Sequence, residues 1–414
     1  MNNFYKIWVG DFASDIGNKM LFFIIPILGL NIMKLSPTEV GYVSTIYLSV
    51  PLILGLYLGS LADRHYSKAM LYLCNITRII VLLIIVLLLV NNYLNWYILG
   101  AGLFILNAIS LYYDSLMVSV VPQIVSQKEL VKANSFIEAG NSVNSSLGPS
   151  IAGFLVTYFS VKLIFIIDII TYIWSSLLLA TTDFKLKKQS DNLSENDEIT
   201  YLKDIKVGFK LLFSNPSQKV ILYSVSIYNF FASWLLVILP IYAIKEVGLS
   251  SYQLGMIYLF PFVFGIIGAY FTSYLQKKVS PRNIITYSLV PVAVITLLLP
   301  LNKYFNNQYL FIFLYICTLS IMEFCITINL VIDRSIRQSI YPINHLSKIE
   351  STIRFLTWGF DPFGALIASL IISFSSVFLS LSIGVIGFML PPLICIFSKS
   401  LKKLSFGDPL HPEQ

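Results

Sequence analysis

Three charged residues near the amino terminus follow one another at helical spacing within an apolar stretch. They are Asp11, Asp15 and Lys19, at positions i, i+4 and i+8, so a helix would place them along one face. If this stretch crosses a membrane, each charge costs at least about 2.5 kcal/mol on insertion scales and calls for a function or a partner. Residues spaced in this way can pair with one another, bind a cation or carry a proton.

Other acids interrupt later apolar stretches. They are Asp114, Glu138, Asp168, Glu323 and Asp361, and the main embedded base is Arg78. An acid that is exposed to the two sides of a membrane in turn can bind a proton on one side and release it on the other. Asp114 and Glu323 could instead bind a cationic substrate. For Glu138, Asp168, Asp361 and Arg78 the alternative is half of a structural pair, because buried charges need partners. For Asp11 and Asp15 a further alternative is a place at the membrane interface, where the carboxylate only caps or solvates a helix end.

The other reactive residue types form no catalytic or metal-binding pattern. The three histidines, His65, His345 and His411, fall in loops or the tail, and no glycine-rich phosphate loop is present. The four cysteines lie in apolar stretches without paired metal spacing, and we interpret them as packing residues: Cys74, Cys317, Cys325 and Cys395. We therefore expect no metal, no cofactor and no enzymatic activity, and the use of ATP is disfavoured.

The composition indicates that membrane helices position these charges. The 414 residues are 57% hydrophobic and 12% charged, with a mean hydropathy of +0.78, whereas a soluble domain carries about 25% charged residues. Apolar runs of about 20 residues can cross the hydrocarbon core, and twelve are predicted. They lie near residues 5–33, 40–61, 69–91, 96–118, 133–159, 161–183, 217–244, 252–275, 283–301, 308–331, 350–375 and 377–398.

The distribution of basic residues predicts the orientation of these spans. With the amino terminus inside, 22 of the 28 Lys and Arg residues fall in inner segments, as expected for cytoplasmic loops. We expect both termini to be cytoplasmic, with the first span retained because it lacks the features of a cleaved signal. The net charge of +7 then reflects membrane topology and predicts no nucleic-acid partner.

A long polar segment separates two groups of six spans. We predict bundles at residues 1–183 and 217–400, joined by a cytoplasmic loop at 184–216 and followed by a tail at 401–414. A shift of 214 residues sets Ser36 over Ser250 at the entrance to the second span of each half, and a shift of 216 sets Gly148 over Gly364. The constant order and spacing of such matches indicate a duplicated six-helix unit.

The loop after the second span carries a charged motif. From Gly59 to Lys68 it reads Gly-x-Leu-Ala-Asp-Arg-x-Tyr-Ser-Lys, and it includes Asp63 and Arg64. Gly59 lets two helices approach closely. Asp63 can accept hydrogen bonds from helix-end N–H groups or pair with a cation of the other half. The alternative is that these are solvated loop charges.

This motif and the two six-helix halves resemble the major facilitator superfamily, in which the loop typically reads Gly-x-Leu-Ala-Asp-Arg-x-Gly-Arg-Lys. Here Tyr66 replaces the second glycine and Ser67 the first basic residue. The resemblance covers the whole chain and implies an all-α integral membrane protein of twelve transmembrane helices in two pseudo-symmetric halves. It also implies that the loop is a conformational latch favouring the outward-open state, with Gly59, Asp63, Arg64 and Lys68 as its residues.

The fifth span has a small-residue motif. It contains Gly140 and then Gly148, Pro149 and Gly153, which resembles the Gly-Pro-x-x-Gly-Gly signature of the drug-proton antiporters of the superfamily, with Ala152 at the first glycine of the final pair. Small residues allow this helix to press against a neighbour of the other half, and Pro149 is expected to bend it. The alternative is a generic packing seam.

Segments before the fifth span and in the sixth look like the macrolide-efflux branch of the superfamily. The resemblance implies a bacterial inner-membrane transporter, working as a monomer, that exports a small amphipathic organic compound in exchange for protons. In the resembled fold the first helix lines a central cavity, so Asp15 is the first candidate for the proton carrier, ahead of Asp114, Glu138, Asp168, Glu323 and Asp361. Further cavity candidates are Asp11, Lys19, Tyr112, Asn229 and Trp234.

Several alternatives to this function stay open. The compound could be a siderophore, a lipid or another metabolite, or the protein could be a proton-linked importer. A member of a different class would be a transport-inactive membrane scaffold or sensor. For the aromatic candidates, the alternative is a side chain that faces lipid or protein and not a ligand.

Overall fold

The computed structural model describes residues 2–64, 67–125, 130–182, 206–305, 307–341 and 343–401, and these ranges are helical and contain no strand. In the first half the helices are α1 (Asn2–Ile27, continued by a π turn at Leu28–Ile32), α2 (Pro37–Leu48), α3 (Val50–Arg64), α4 (Lys68–Val90), α5 (Trp96–Ile124), α6 (Leu130–Tyr158) and α7 (Val161–Ala180). The later ones are α8 (206–214), α9 (Pro216–Lys245), α10 (Ser251–Ile257), α11 (Pro261–Leu275), α12 (Pro281–Ser288), α13 (Val290–Thr296), α14 (Asn302–Phe305), α15 (Gln308–Ile340), α16 (Ile343–Trp358), α17 (Asp361–Phe374), α18 (Val377–Gly387) and α19 (Leu390–Phe397).

Eleven helical stretches of the described ranges are long and apolar enough to cross a membrane. The twelfth predicted span, 133–159, corresponds to α6, which is not among the eleven. With 29 residues, α6 is about 43 Å long and has the length to cross a bilayer. It differs from the others in composition, because its middle is rich in Asn and Ser.

Five of the predicted spans consist of two successive helices. In each, the second segment carries a proline in its first two positions, namely Pro51, Pro261, Pro291, Pro362 and Pro391. Proline is tolerated in the first turn of a helix but breaks the helix upstream, because it has no N–H group and its ring clashes with an earlier carbonyl. By contrast, α6 continues through Pro149 without interruption.

Helix starts support the predicted duplication. The side chain of Ser36 accepts a hydrogen bond from the Glu39 backbone, and the Ser36 backbone donates to the Glu39 carboxylate. Ser250 and Gln253 form the same capping box 214 residues later. Each box pairs backbone N–H groups that the first helical turn leaves free, so the two copies begin their second span in the same way.

The chain forms two compact units. One comprises Met1–Asn192 and Ala243–Leu259, and the other comprises Leu193–Tyr242 and Phe260–Gln414. In the first unit, α1 packs against α6 and α7, and α4 packs against α5 and α7. In the second, α11, α12 and α13 pack against α15. The first unit therefore contains α1, α4, α5 and α7, which carry most of the predicted embedded charges.

We expect Ser250→Ala to lower the free energy of unfolding by about 1 kcal/mol, because it removes the side-chain acceptor at the start of α10. The measurement is the thermal unfolding of the purified protein in detergent. Ser250→Asp keeps an N-cap acceptor and serves as the matched control, with stability close to that of the wild type. Equal destabilisation by Asp and Ala would contradict a capping role.

Candidate functional site

The predicted charged face of α1 is present. The Lys19 Nζ atom lies 3.9 Å from an Asp15 carboxylate oxygen. Asn144 of α6 donates one hydrogen bond of 2.9 Å to the Asp15 carboxylate and another of 2.9 Å to the Phe12 backbone carbonyl. Asp15 is thus held from two sides, by a cation on its own helix and by an amide from α6.

The other acids of the first unit converge on the same region. Asp11 interacts electrostatically with Asp15, Asp114 and Arg78. Asp114 of α5 is accessible to solvent and interacts with Arg78, Asp15 and Lys19. The Asp114 carboxylate therefore lies at the solvent-accessible edge of the charges on α1 and α4. The structure therefore brings Asp114 together with Asp11, Asp15 and Lys19, which the sequence had already placed along one face of a helix.

The exposed side of α6 continues this polar surface. Asn141, Ser142 and Ser145 are exposed, whereas Asn144 and Ser146 are buried. Hydrocarbon offers no hydrogen-bond partners to exposed amides and hydroxyls, so at membrane depth such a surface faces a water-filled space. The polar composition that separates α6 from the eleven apolar stretches thus fits a helix that lines a cavity.

Arg78 of α4 is enclosed by neighbouring helices and is 2% exposed. Its guanidinium carbon lies 4.7 Å from the centre of the Tyr113 ring and 5.0 Å from that of Tyr172. The guanidinium donates long hydrogen bonds to the Asn75 side chain, at 3.3 Å, and to the Ile109 carbonyl, at 3.5 Å. Two aromatic faces stabilise this charge through cation–π contacts.

Asp168 of α7 is fully buried, at 0% exposure. Its carboxyl group rests directly on Gly17 of α1, where a Cβ atom would lie 1.8 Å from the Asp168 Oδ1 atom. A glycine is therefore required for α1 and α7 to approach around this acid. Next to it, the Tyr172 hydroxyl donates a 2.6 Å hydrogen bond to the Asn18 side chain.

The small residues of α6 contact two different helices. Gly140 faces Trp8 and Phe12 of α1, and Gly148 packs against the backbone of α1 at Lys19. Pro149 is buried.

Farther along α6, a Cβ atom at Gly153 would lie 2.5 Å from the Ser251 carbonyl oxygen and 2.8 Å from the Gly255 Cα atom of α10. Ser150 adds a hydrogen bond of 2.9 Å to the Gly255 carbonyl. The neighbour that small residues on α6 were expected to admit is α10, the first segment of the eighth span.

The candidate site residues of the second unit differ in how far they are exposed. Trp234 is buried, and its indole N–H donates a 3.0 Å hydrogen bond to the Ser380 carbonyl. Asn229 is half-buried, as is Tyr112 in the first unit. Glu323 is exposed and lies beside Gly265. Asp361 begins α17, and its backbone carbonyl accepts a hydrogen bond of 2.7 Å from Ser233.

The predicted latch is described only in part. The Lys68 ammonium donates a 2.6 Å hydrogen bond to the Thr182 carbonyl after the end of α7, and Lys6 donates one of 3.0 Å to the Thr181 carbonyl. Cations stabilise helix C-termini by binding such free carbonyls. Gly59 is half-buried, and a Cβ atom there would meet no atom within 4 Å. The side chains of Asp63, Arg64 and Glu138 lie outside the described residues.

Sequence reasoning missed the partners of the charged groups. Asn144 was not nominated, although it lies in the polar run Asn-Ser-Val-Asn-Ser-Ser that marks α6 as unsuited to lipid. For Arg78 the sequence left open a structural pair or a coupling role, and it did not indicate the Tyr113 and Tyr172 rings that enclose the guanidinium. Nothing in the sequence around Lys6 except its basic charge indicated its contact with the end of α7.

The family model described as Major Facilitator Superfamily matches residues 7–348. The chain belongs to this superfamily. Similar solved structures include the nucleoside transporter NupG, with 10% identity, a TM-score of 0.74 and coverage of 98% of this chain and 100% of the other. A bacterial homologue of the iron transporter ferroportin has 15% identity, a TM-score of 0.73 and coverage of 95% and 98%. Because the identities are low, these similarities show that the chain shares the fold of these proteins and nothing about its substrate.

A relative from Bacillus subtilis (strain 168), described as the uncharacterized MFS-type transporter YvqJ, is 22% identical over 177 residues. The match spans 42% of this chain and 41% of that relative. Family and fold together define the protein as a multi-pass membrane protein of the superfamily. They confirm the predicted fold class of two six-helix pseudo-symmetric halves.

We expect Gly153→Val to destabilise the protein by about 1–3 kcal/mol, because the added atoms overlap the α10 backbone. Thermal unfolding in detergent measures the loss. Gly55→Ala is the matched control, since its Cβ atom would meet only the Leu111 side chain, at 4.0 Å. Wild-type stability of Gly153→Val would show that α6 and α10 do not pack at this crossing.

Proposed function

We propose that this transporter exports an amphipathic organic compound across the bacterial cell membrane in exchange for protons, by alternating access, with both termini cytoplasmic. The observation that carries the proposal is the charged cluster of the first unit. It contains four carboxyl groups, on Asp11, Asp15, Asp114 and Asp168, and two cations, on Lys19 and Arg78. With every group ionised the cluster would have an excess of negative charge, and bound protons or a cationic substrate would neutralise it.

Proton exchange needs an acid that water can reach. Asp114 is solvent-accessible, and the side chain of Asp15 is 25% exposed while that of Lys19 is 40% exposed. These groups border the polar surface of α6, so protons can reach them through water and need no path through lipid. Asp15 remains our first candidate for the carrier, because the Asn144 and Lys19 contacts fix its carboxylate at this surface.

The organic nature of the substrate is inferred from the aromatic and polar candidates. In the first unit, half-buried Tyr112 would give an amphipathic compound an aromatic surface. In the second unit, half-buried Asn229 would offer such a compound a polar contact. The direction of transport rests on the resemblance of the Gly148-Pro149 motif to that of the drug-proton antiporters. The similar structures carry names with other substrates, a nucleoside and iron, so the compound must be identified by experiment.

Inverted membrane vesicles test the mechanism. In vesicles energised by respiration, the lumen is acidic, and an exporter that exchanges its substrate for protons will make the lumen less acidic when substrate is added. The probes are ethidium and erythromycin, with a lumenal pH dye as the readout and vesicles without the protein as the control. Substrate accumulation that survives collapse of both the pH gradient and the membrane potential would rule out antiport.

Asp15→Asn is expected to abolish uphill export and to spare downhill exchange, because the carrier's proton step is lost while the cavity keeps its shape. Steady-state substrate gradients at several external pH values measure this effect. Glu246→Gln, which neutralises an exposed loop acid, is the control and should keep the wild-type gradient. If Asp15→Asn retains that gradient, its carboxylate serves only the packing of α1 and the pairing with Lys19.

Asp63→Asn is expected to leave expression and insertion intact and to reduce the transport rate, because it removes the charge of the proposed latch without changing the packing core. The rate of substrate efflux per unit of membrane-inserted protein is the measurement. Asp63→Glu retains the charge and should recover part of the rate. A wild-type transport rate of Asp63→Asn at normal expression would contradict a role of Asp63 in a conformational latch.

A further inference from the structure

Arg78 is a permanent charge with hydrogen-bonding capacity to spare. Among the described residues no carboxylate lies within 4.0 Å of its guanidinium, and its buried Nε–H group has no partner. Arginine cannot lose its proton in a protein and offers five N–H donors. The two long hydrogen bonds and two aromatic rings that surround Arg78 use only part of this capacity.

The carboxyl group of Asp168, on the adjoining helix α7, lacks hydrogen-bond donors. Its Oδ2 atom is buried without a hydrogen-bond partner, and its Oδ1 atom receives one weak contact of 3.4 Å from the Thr171 hydroxyl. An ionised carboxylate in this state would lose its hydration without compensation, at several kcal/mol. A neutral carboxylic acid avoids most of that penalty. The geometry therefore fits an Asp168 that holds a proton.

The two groups are close enough to meet. Asp168 and Tyr172 lie one turn apart on the same face of α7, about 5–6 Å along the helix surface. The Arg78 guanidinium already rests on the Tyr172 ring, at 5.0 Å, and α4 packs against α7. The Arg78 charge already acts on the Asp168 carboxyl group, and the movement that pairing requires is a change of the Arg78 side-chain rotamer from the ring toward that group.

We propose that Arg78 and Asp168 form a proton-linked pair. While Asp168 is protonated, Arg78 stays between the two tyrosine rings, as in this structure. When the O–H bond of Asp168 breaks, the proton passes to the water of the neighbouring cavity, and Arg78 pairs with the carboxylate that remains. Charge-assisted bidentate hydrogen bonds then give the Arg78 N–H groups an acceptor and the Asp168 oxygens a donor.

The proposal deepens the proton antiport of the proposed function and rests on it, since it assigns a buried proton site beside the solvent-accessible acids. Other titratable groups also face Arg78. They are Asp11 on α1, Cys74 on α4, Tyr113 and Asp114 on α5, and Tyr172 on α7. Asp15 on α1 and Tyr47 on α2 interact with Asp168. Asp168 is singled out because its unpartnered oxygen is fully buried, whereas Asp15 has partners and Asp114 reaches solvent.

Infrared spectroscopy of the purified protein, without substrate, tests the protonation of Asp168. The wild type should show the C=O stretching band of a protonated carboxylic acid, shifted in deuterated buffer, and the band should be lost in Asp168→Asn. Asp114→Asn is the matched control for an acid of the same cluster, and the Asp168 band should persist in it. Identical wild-type and Asp168→Asn spectra would overturn the proposal.

Transport by Arg78 variants tests the counter-charge. Arg78→Gln leaves the deprotonated acid without a partner, so both uphill export and downhill exchange of ethidium should be lost. The double variant Arg78→Gln with Asp168→Asn removes the acid as well and should regain exchange, though not uphill export. Arg78→Lys keeps the charge and should retain measurable uphill export. A double variant no more active than Arg78→Gln would show that Arg78 serves packing alone.

The two experiments separate this proposal from the proposed function. If wild-type vesicles show no proton-dependent export, antiport fails whatever the infrared spectra show. If export is proton-dependent but Asp168→Asn leaves the carboxylic band unchanged, antiport stands and the Arg78–Asp168 pair is rejected. Lys19→Gln serves as a control for loss of a cation elsewhere in the cluster and should leave the Asp168 band in place.

Discussion

The desolvation of charge inside a hydrocarbon layer is the constraint on which the arrangement of the first unit depends. A carboxylate or guanidinium at that depth must find a partner, an aromatic face or water. All three kinds of stabilisation occur among the charged groups of the first unit. Asp15 is held by Lys19 and Asn144, Arg78 is enclosed by Tyr113 and Tyr172, and Asp114 reaches solvent. The polar surface of α6 supplies the water-facing side that these solutions require.

Close helix packing is the second requirement, because partners must lie within hydrogen-bond range. Gly17 lets α7 bring Asp168 against α1, and Gly148 brings α6 against the same helix near Lys19. Larger residues at either position would push α1 away from the groups it must contact. The electrostatics and the small-residue positions of α1, α6 and α7 therefore constrain one another.

Much of the fold follows from the sequence, since hydropathy, the serine and asparagine caps and the internal spacing depend on local residue types. The i,i+4 pair of Asp15 and Lys19 was predictable for the same reason. The interruptions of five spans at proline were not foreseen, and the bend expected at Pro149, which lies within a continuous α6, stays a prediction. The Asn144 contact of Asp15 and the Tyr113 and Tyr172 contacts of Arg78 could not be predicted, because these partners come from helices more than 30 residues away whose rotation is fixed by tertiary packing.

The crossing of α1 and α7 also shows how duplicated helices have diverged. Applying the spacing of 216 residues, Gly384 of α18 corresponds to Asp168 of α7. In the first unit the later helix contributes the bulky acid and α1 the glycine. In the second unit the roles are exchanged, since α18 contributes the glycine and α9 fills the space with the Trp234 indole. The first copy of this crossing holds an ionisable carboxyl group, whereas an indole, which does not titrate, fills the equivalent space of the second. The proposed proton site therefore has no counterpart at the equivalent crossing.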